Sequence, residues 1–324
     1  MQIYKFNNIL KPVLWGGNKL LSFKGLPACD ESIGESWELS AMPGRESVVA
    51  TGEDSGLTLT QLVNRHGADL VGEDVYRRYG NQFPLLIKFI DAKRDLSIQV
   101  HPDDEMAHRL HGCEGKNEMW YILQADSGAI IRTGFNRNLS PEEFDRRLDD
   151  GSILDVINQT ESQPGDVFFI PAGQIHTIGA GNFLVEIQQS SDITYRVWDY
   201  NRRDAEGNLR QLHVKEAREA ITYVASEGKV QGIPRIGVGL TRLVECPVYS
   251  VQRLEFEGAH EWSCPEPHNF VAVVCIHGET TMEADDLPPV TLSQGETALI
   301  PAAVNRVVMK GTARLLLATV PIEK

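Results

Sequence analysis

Four residues of this chain carry side chains suited to holding a divalent ion: Gln99, His101, Glu118 and His176. Gln99 and His101 lie two residues apart in LSIQVHP, a stretch that alternates as a strand does. Period two puts Ser97, Gln99 and His101 on one face and Leu96, Ile98 and Val100 on the other. An apolar face turned to packing and a polar face of donors suit a barrel wall with a metal inside it. Glu118 opens a second strand-like run, EMWYIL, and His176 follows the proline and glycine turn that ends a third, DVFFIP. Two imidazoles, one carboxylate and one amide oxygen form a donor set for a divalent ion. Glu118 adds weight of its own, since an unpaired carboxylate in an apolar strand is costly to bury and ligation removes that cost. A lone histidine at a strand end has a blander use as a hydrogen-bonded core or surface residue. His108 and His111, on a polar helical segment after the HPDD turn, are read as solvent-exposed.

Cations gather near this set: Lys88, Lys93, Arg94, Lys116 and Arg196 could form a local pocket for an anion. Lys88 lies mid-strand among Leu86, Ile87, Phe89 and Ile90, where an ammonium needs a partner. Asp192 and Arg196 are four apart on what reads as one strand, hence on one face. They form a salt bridge with each other, or Arg196 meets an anion beside the metal. Lys116 is either a loop lysine or, two residues ahead of Glu118, a reactive group. Trp15, Trp37, Trp120 and Trp198 are expected in the core or pocket wall.

The elements that must position these residues are mostly strands. PLLIKFI, MWYILQ, AIIRTG, FLVEIQQ and TYRVWDY are short apolar or alternating runs bounded by Gly, Pro, Asn and Asp, the pattern of antiparallel sheet. Helices are expected near residues 58–68, ended by Gly67, and over 140–160 as two short pieces broken at Gly151. Ser140, Pro141 and Glu143 supply the N-cap, the first helical position and a capping box. A third helix is expected over 213–225, before the glycine-containing segment EGKVQGIPRIGVG. The second half repeats a turn of the first: Gly165 and Pro171 are six apart, as are Gly295 and Pro301, and Arg306 takes the register of His176. His268 falls opposite Glu118, but no ligand pair precedes it, so this half is expected to hold no metal.

At 324 residues the chain is long enough for two domains, and 42% hydrophobic with 23% charged residues is an ordinary globular composition. A net charge of −14 argues against nucleic acid or an acidic membrane as partner. No run is long or apolar enough for a signal peptide or a membrane span. The five cysteines lack paired spacing and are expected to be reduced thiols of a cytoplasmic protein.

PGDVFFIPAGQIH matches the second cupin signature without a gap: a glycine, five residues, a proline, then Gly and His. The first signature usually carries HxH and a Glu, whereas Gln99 stands here at the first His position. In that departure, and in PLLIKFIDAKRDLSIQVHPDD, GKNEMWYIL, PAGQIHTIGAG, EIQQSSDITYR, KPVLWGG and GESWELS, the chain resembles the class I phosphomannose isomerases over most of residues 1–200. The resemblance thins beyond about residue 225.

The resemblance implies a mainly β protein of two cupin (jelly-roll) barrels. Residues 1–230 would form the catalytic barrel with a small helical insertion near 139–160, and 231–324 a degenerate barrel without metal. It also implies reversible interconversion of mannose 6-phosphate and fructose 6-phosphate through a cis-enediol, with one zinc per chain on Gln99, His101, Glu118 and His176. Arg196 would stabilise the enediolate or hold the sugar, Lys88 would bind a substrate oxygen or support the metal shell, and Lys116, Asp192 or a water on the metal would serve as base. Two other readings fit a cupin: an iron dioxygenase, which uses two His and one carboxylate, and a sugar-binding protein without activity. The expected partner is a phosphosugar, with neither nucleic acid nor membrane, and the expected state a monomer or weak homo-oligomer.

Overall fold

The computed structural model describes residues 1–203, 207–263, 269–284 and 286–321, and it is mainly β. One sheet has six strands in the order Val167–Ile170, Glu118–Ala125, Asn182–Gln189, Leu85–Ala92, Ile9–Gly17 and Ile33–Leu39. Its central strand, LLIKFIDA, is buried at every position because neighbouring layers cover both faces. A second sheet has five strands: Ile157–Glu161, Ile130–Phe135, His176–Ile178, Ile98–Val100 and Tyr195–Trp198.

Both strand orders are open paths, so the expected barrel is not a closed ring of hydrogen bonds. The chain passes from one sheet to the other at Pro171-Ala172-Gly173, between Val167–Ile170 and His176–Ile178. A proline has no N–H to give a ladder, which suits it to such a corner. There Gly173, at φ +82°, has its N–H on the His101 carbonyl and its carbonyl on the Thr222 N–H.

The third sheet holds most of the C-terminal part, from Gly239–Glu245 through Ser250–Ser263, Arg306–Thr319 and Val271–Glu283 to Thr297–Ile300. It continues into the chain's beginning, because Tyr4–Asn7 pairs with Thr297–Ile300 and then with Val48–Val49. One apolar cluster joins the halves, with Phe83, Leu85, Met119 and Ile187 packed with Tyr249, Phe270 and Leu316. The rings of Phe83 and Phe270 lie 4.7 Å apart.

The internal repeat is visible in backbone form. Gly165 and Gly295 have φ of 86° and 84°, each two residues before a strand, and His176 and Arg306 each begin the next strand. Arg306 pairs with Glu261 on the surface. His268 and Cys264 lie outside the described residues.

Helices follow the capping signals. Leu59–His66 starts with a capping box of Thr58 and Gln61 and ends at Gly67. Pro141–Asp149 is capped by Ser140 but lacks the expected capping box, because the Glu143 carboxylate pairs with Arg137 and Arg147. With the single turn Ser152–Val156 it connects two antiparallel partners, Ile130–Phe135 and Ile157–Glu161. The third helix is only Val214–Ala220, shorter than its sequence pattern. The chain turns extended at Ile221 so that the Thr222 N–H reaches the Gly173 carbonyl at 2.7 Å.

Candidate metal centre

The six- and five-stranded sheets bring His101, Glu118 and His176 together, with one ligand atom from each lying within 4.8 Å of the others. Glu118 comes from the six-stranded sheet, while His176 and Gln99 are register partners in the five-stranded one. His101 follows Ile98–Val100 directly, and the alternation of Ser97, Gln99 and His101 survives in the structure. Ile98 and Val100 pack away from the site with Ile175 and Val197.

Each imidazole has its Nδ1 on a backbone carbonyl: His101 on Ile193 at 2.7 Å and His176 on Gln174 at 2.8 Å. A carbonyl only accepts, so Nδ1 carries the hydrogen and Nε2 turns a lone pair inward. Burial pushes the His176 imidazole down to about 4, against the pull of Glu118. Burial, then Lys116, also lowers His101, so both rings are neutral at pH 7. Burial would raise the Glu118 carboxyl, but the Lys116 ammonium beside it holds it well below its usual range.

Neutral Nε2 atoms thus face an ionised carboxylate, 3.1 Å from His176 and 3.6 Å from His101. Lone pairs opposed across such distances need a cation beside them, and here the Lys116 ammonium is that cation, 3.2 Å from His101 Nε2. Lys116 Nζ lies 2.9 Å from Glu118 Oε2, yet neither carboxylate oxygen has a hydrogen-bond partner. The contact is an ion pair off the hydrogen-bond axis. Two unsatisfied carboxylate oxygens and two inward lone pairs fit a divalent ion. Gln99 presents Nε2 to His176 Nε2 at 3.2 Å, while its Oε1 accepts from Ser97. As a ligand its amide must turn by half a rotation.

Beside these residues is a cavity of about 340 Å³, whose wall includes Lys88, Gln99, Lys116, Glu186, Asp192 and Arg196. Lys88 and Glu186 are cross-strand partners 3.0 Å apart, and Gln188 accepts a second Lys88 proton at 2.9 Å. Trp37 lies under the Lys88 ammonium at 5.0 Å, and Trp120 donates to Glu186 and packs edge-on against His176. Trp15 lines the cavity. Arg196 is the register partner of Gln99; its Nε donates to Ser97 Oγ and one terminal nitrogen to the Gln211 carbonyl, both at 3.1 Å.

Several expectations are corrected. Asp192 and Arg196 do not share a strand: Tyr195–Trp198 begins after Asp192, whose carboxylate pairs with Arg45 at 3.3 Å. Lys93 and Arg94 stay outside, exposed where the strand has ended and their N–H groups bond the Trp15 carbonyl. His108 and His111 are exposed on the helix Asp104–His111, as the sequence suggested.

The description "Phosphomannose isomerase type I, catalytic domain" matches residues 3–128. The mannose-6-phosphate isomerase ManA of Bacillus subtilis is 34% identical over 314 residues, covering 96% of both chains. The chain belongs to the class I phosphomannose isomerase family.

A mannose-6-phosphate isomerase of Streptococcus mutans is 33% identical over 293 residues, 90% of each chain. The crystal structure of the Bacillus subtilis enzyme superposes with a TM-score of 0.88 at 31% identity, over 98% of this chain and 99% of that one. These relatives carry the name of an isomerase, and neither the dioxygenase nor the inactive sugar binder finds support among them.

Some cavity residues escaped the sequence reading. Glu186 sits in FLVEIQQ, and the cost argument that singled out Glu118 and Lys88 applies to it equally. Glu35 falls within GESWELS, whose pattern shows no alternation. Arg210 and His213 lie after the last motif and gave no signal; only the fold brings them to the cavity.

Proposed function

We propose that this chain interconverts mannose 6-phosphate and fructose 6-phosphate, with His101, Glu118, His176 and Gln99 holding one zinc ion. The observation that carries this reading is Glu118: a fully buried carboxylate, bare of hydrogen bonds, faced by two inward imidazole lone pairs. Two neutral histidines, a neutral amide and one carboxylate leave a net charge of about +1 on a bound Zn²⁺, which would polarise a sugar carbonyl without redox chemistry.

The remaining steps belong to the chain's own side chains. Isomerisation removes a proton from C2 of the open aldose and returns one to C1, passing through a cis-enediol. We assign that transfer to Lys116 Nζ, which is buried against the ligands and lines the cavity. It can take the proton only as the neutral amine, with its present pairing to Glu118 given up to the bound cation. Asp192, at the rim with Arg45, is assigned to a sugar hydroxyl and is the alternative base. Arg196 would stabilise the developing enediolate; two of its nitrogens are already held, so the guanidinium is preorganised. Lys88 has two protons committed to Glu186 and Gln188, and its third would bind a substrate oxygen.

The reading extends to the whole chain. Two facing sheets, linked by the Pro171 corner, are read as a cupin jelly roll with its helical insertion near 139–160. A second, metal-free cupin over 231–324 borrows the N-terminal strand. Free thiols at Cys29, Cys113, Cys246 and Cys275 suit a cytoplasmic protein, monomeric or weakly self-associating. No helix among the described residues is long and apolar enough to cross a membrane. A coupled assay for fructose 6-phosphate, with and without chelator, tests the proposal. Turnover lost on chelation and restored by zinc is expected; no turnover by the metal-loaded protein would refute it.

A further inference from the structure

The cations lining the cavity divide into two sets. Lys11 is paired with Glu35, Lys88 with Glu186 and Lys116 with Glu118. Arg196 and Arg210 line the same cavity. Among the described residues Arg196 is in no ion pair, and Arg210 only shares the Asp199 carboxylate with Arg202. With Arg202 they surround one buried carboxylate, Asp199. Arg202 is fully occupied, holding Asp199 Oδ1 and the Asp95 carbonyl. Arg210 reaches Asp199 Oδ1 only at 3.4 Å. Three guanidinium groups around one carboxylate leave an excess of two positive charges in a partly buried wall. That excess is costly until an anion completes it.

Position narrows the anion. Arg210 stands at the partition between the metal-site cavity and an adjoining cavity of about 530 Å³ that includes Trp198, Asp199 and Leu212. A group reaching it from the metal must be the far end of the substrate. His213 lines the same wall, and its Nδ1 accepts the Arg196 backbone N–H at 3.3 Å. In the neutral ring the hydrogen is then on Nε2, which becomes a donor.

We propose that Arg210, with the His213 Nε2–H beside it, is the phosphate subsite: the guanidinium leaves its long contact with Asp199 and takes the phosphate through its planar fork. The assignment rests on the isomerase reading, which supplies a phosphorylated sugar. It separates two tasks, with Arg196 acting at the sugar oxygens and Arg210 at the phosphate.

The test compares the metal-loaded wild type with Arg210→Ala and Arg210→Lys. It reads kcat and KM for mannose 6-phosphate, inhibition by inorganic phosphate, and metal content. A lost charged hydrogen-bonding partner predicts a KM raised roughly 10- to 100-fold in Arg210→Ala, with kcat within a few-fold of wild type. Inorganic phosphate should weaken as an inhibitor by the same factor, metal content should stay unchanged, and Arg210→Lys should recover part of the loss. If KM and phosphate inhibition survive in Arg210→Ala, the subsite is wrong while wild-type turnover leaves the isomerase reading standing. Should Arg210→Ala fail to fold, an unaltered KM in Arg210→Lys together with unaltered phosphate inhibition overturns the proposal. If the wild type turns over no mannose 6-phosphate, direct binding of inorganic phosphate decides: binding lost in Arg210→Ala supports the subsite, and equal binding overturns it.

Discussion

Arg196 is where the mechanistic assignment is most exposed to test. If it stabilises charge that develops at the sugar oxygens, Arg196→Ala should lower kcat by about 10²–10³ while changing KM far less. Arg196→Lys should rescue little, because a point charge cannot replace the fork bonded to Ser97 and Gln211. Steady-state kinetics separate this from an anchor, which would raise KM with kcat intact. Glu35 gives a pH prediction. Burial would raise its carboxyl, but Lys88, Lys11 and the Trp37 N–H outweigh that and hold it below the usual range. A depressed carboxylate contributes stability above its unfolded pKa of about 4.3 and loses it as pH falls through the folded value. Glu35→Gln should therefore melt below wild type at pH 7, with the gap closing below about pH 4. A gap constant with pH in thermal melts would contradict the ion-pair account.

Residues of this kind were unequally legible. Gln99, His101, Glu118 and His176 could be read because strand alternation and a proline–glycine turn are local patterns, and local patterns fix which side chains share a face. Asp192 was misread because it was placed on one strand with Arg196, whereas the strand begins only at Tyr195, and boundaries depend on tertiary partners. Glu186 was legible in principle, as a carboxylate in an apolar run. Arg210 was not, because its place depends on how the segment around 207–213 folds back over the cavity, and no sequence periodicity encodes that.

At the scale of elements, the corner at Gly173 sets where His176 sits. A Cβ there would meet Thr222 Oγ1 at 2.7 Å and the Ala220 carbonyl at 2.9 Å, on a backbone at φ +82°. Gly173→Ala should destabilise the protein by about 1–2 kcal/mol from the left-handed backbone alone, more with the clash. Because the same turn bonds His101 and Thr222 backbones, it should also weaken metal binding. Melting temperature and metal affinity measured together check this; unchanged metal affinity would show that the corner only stabilises. The sequence marked this turn clearly, since Pro and Gly punctuate it. It could not show that the helix at Val214–Ala220 stops early to bond that turn, which is a contact between segments about 50 residues apart along the chain.

At the scale of the molecule, the two halves are not independent. Tyr4–Asn7 completes the C-terminal sheet, and the Phe83, Leu85 and Ile187 side of the six-stranded sheet's half is covered by Tyr249, Phe270 and Leu316. A chain ended at residue 230 would expose that face and leave Tyr4 without its strand partner. It should be insoluble or lack a cooperative melt; a folded, metal-binding fragment would contradict the packing argument. The repeat was readable from Gly295 and Pro301, but this exchange of a strand was not, because a four-residue run such as YKFN names no partner.

The central claim is that one buried His–Glu–His centre, with Gln99, carries the reaction through one metal ion per chain. The most direct test is a titration of the metal-free protein with zinc, reading isomerase activity at each addition for wild type and Glu118→Gln. Activity should rise linearly and saturate at one equivalent in the wild type, and Glu118→Gln should remain near baseline with little bound metal. Activity before any metal is added, saturation at two equivalents, or full activity in Glu118→Gln would contradict it.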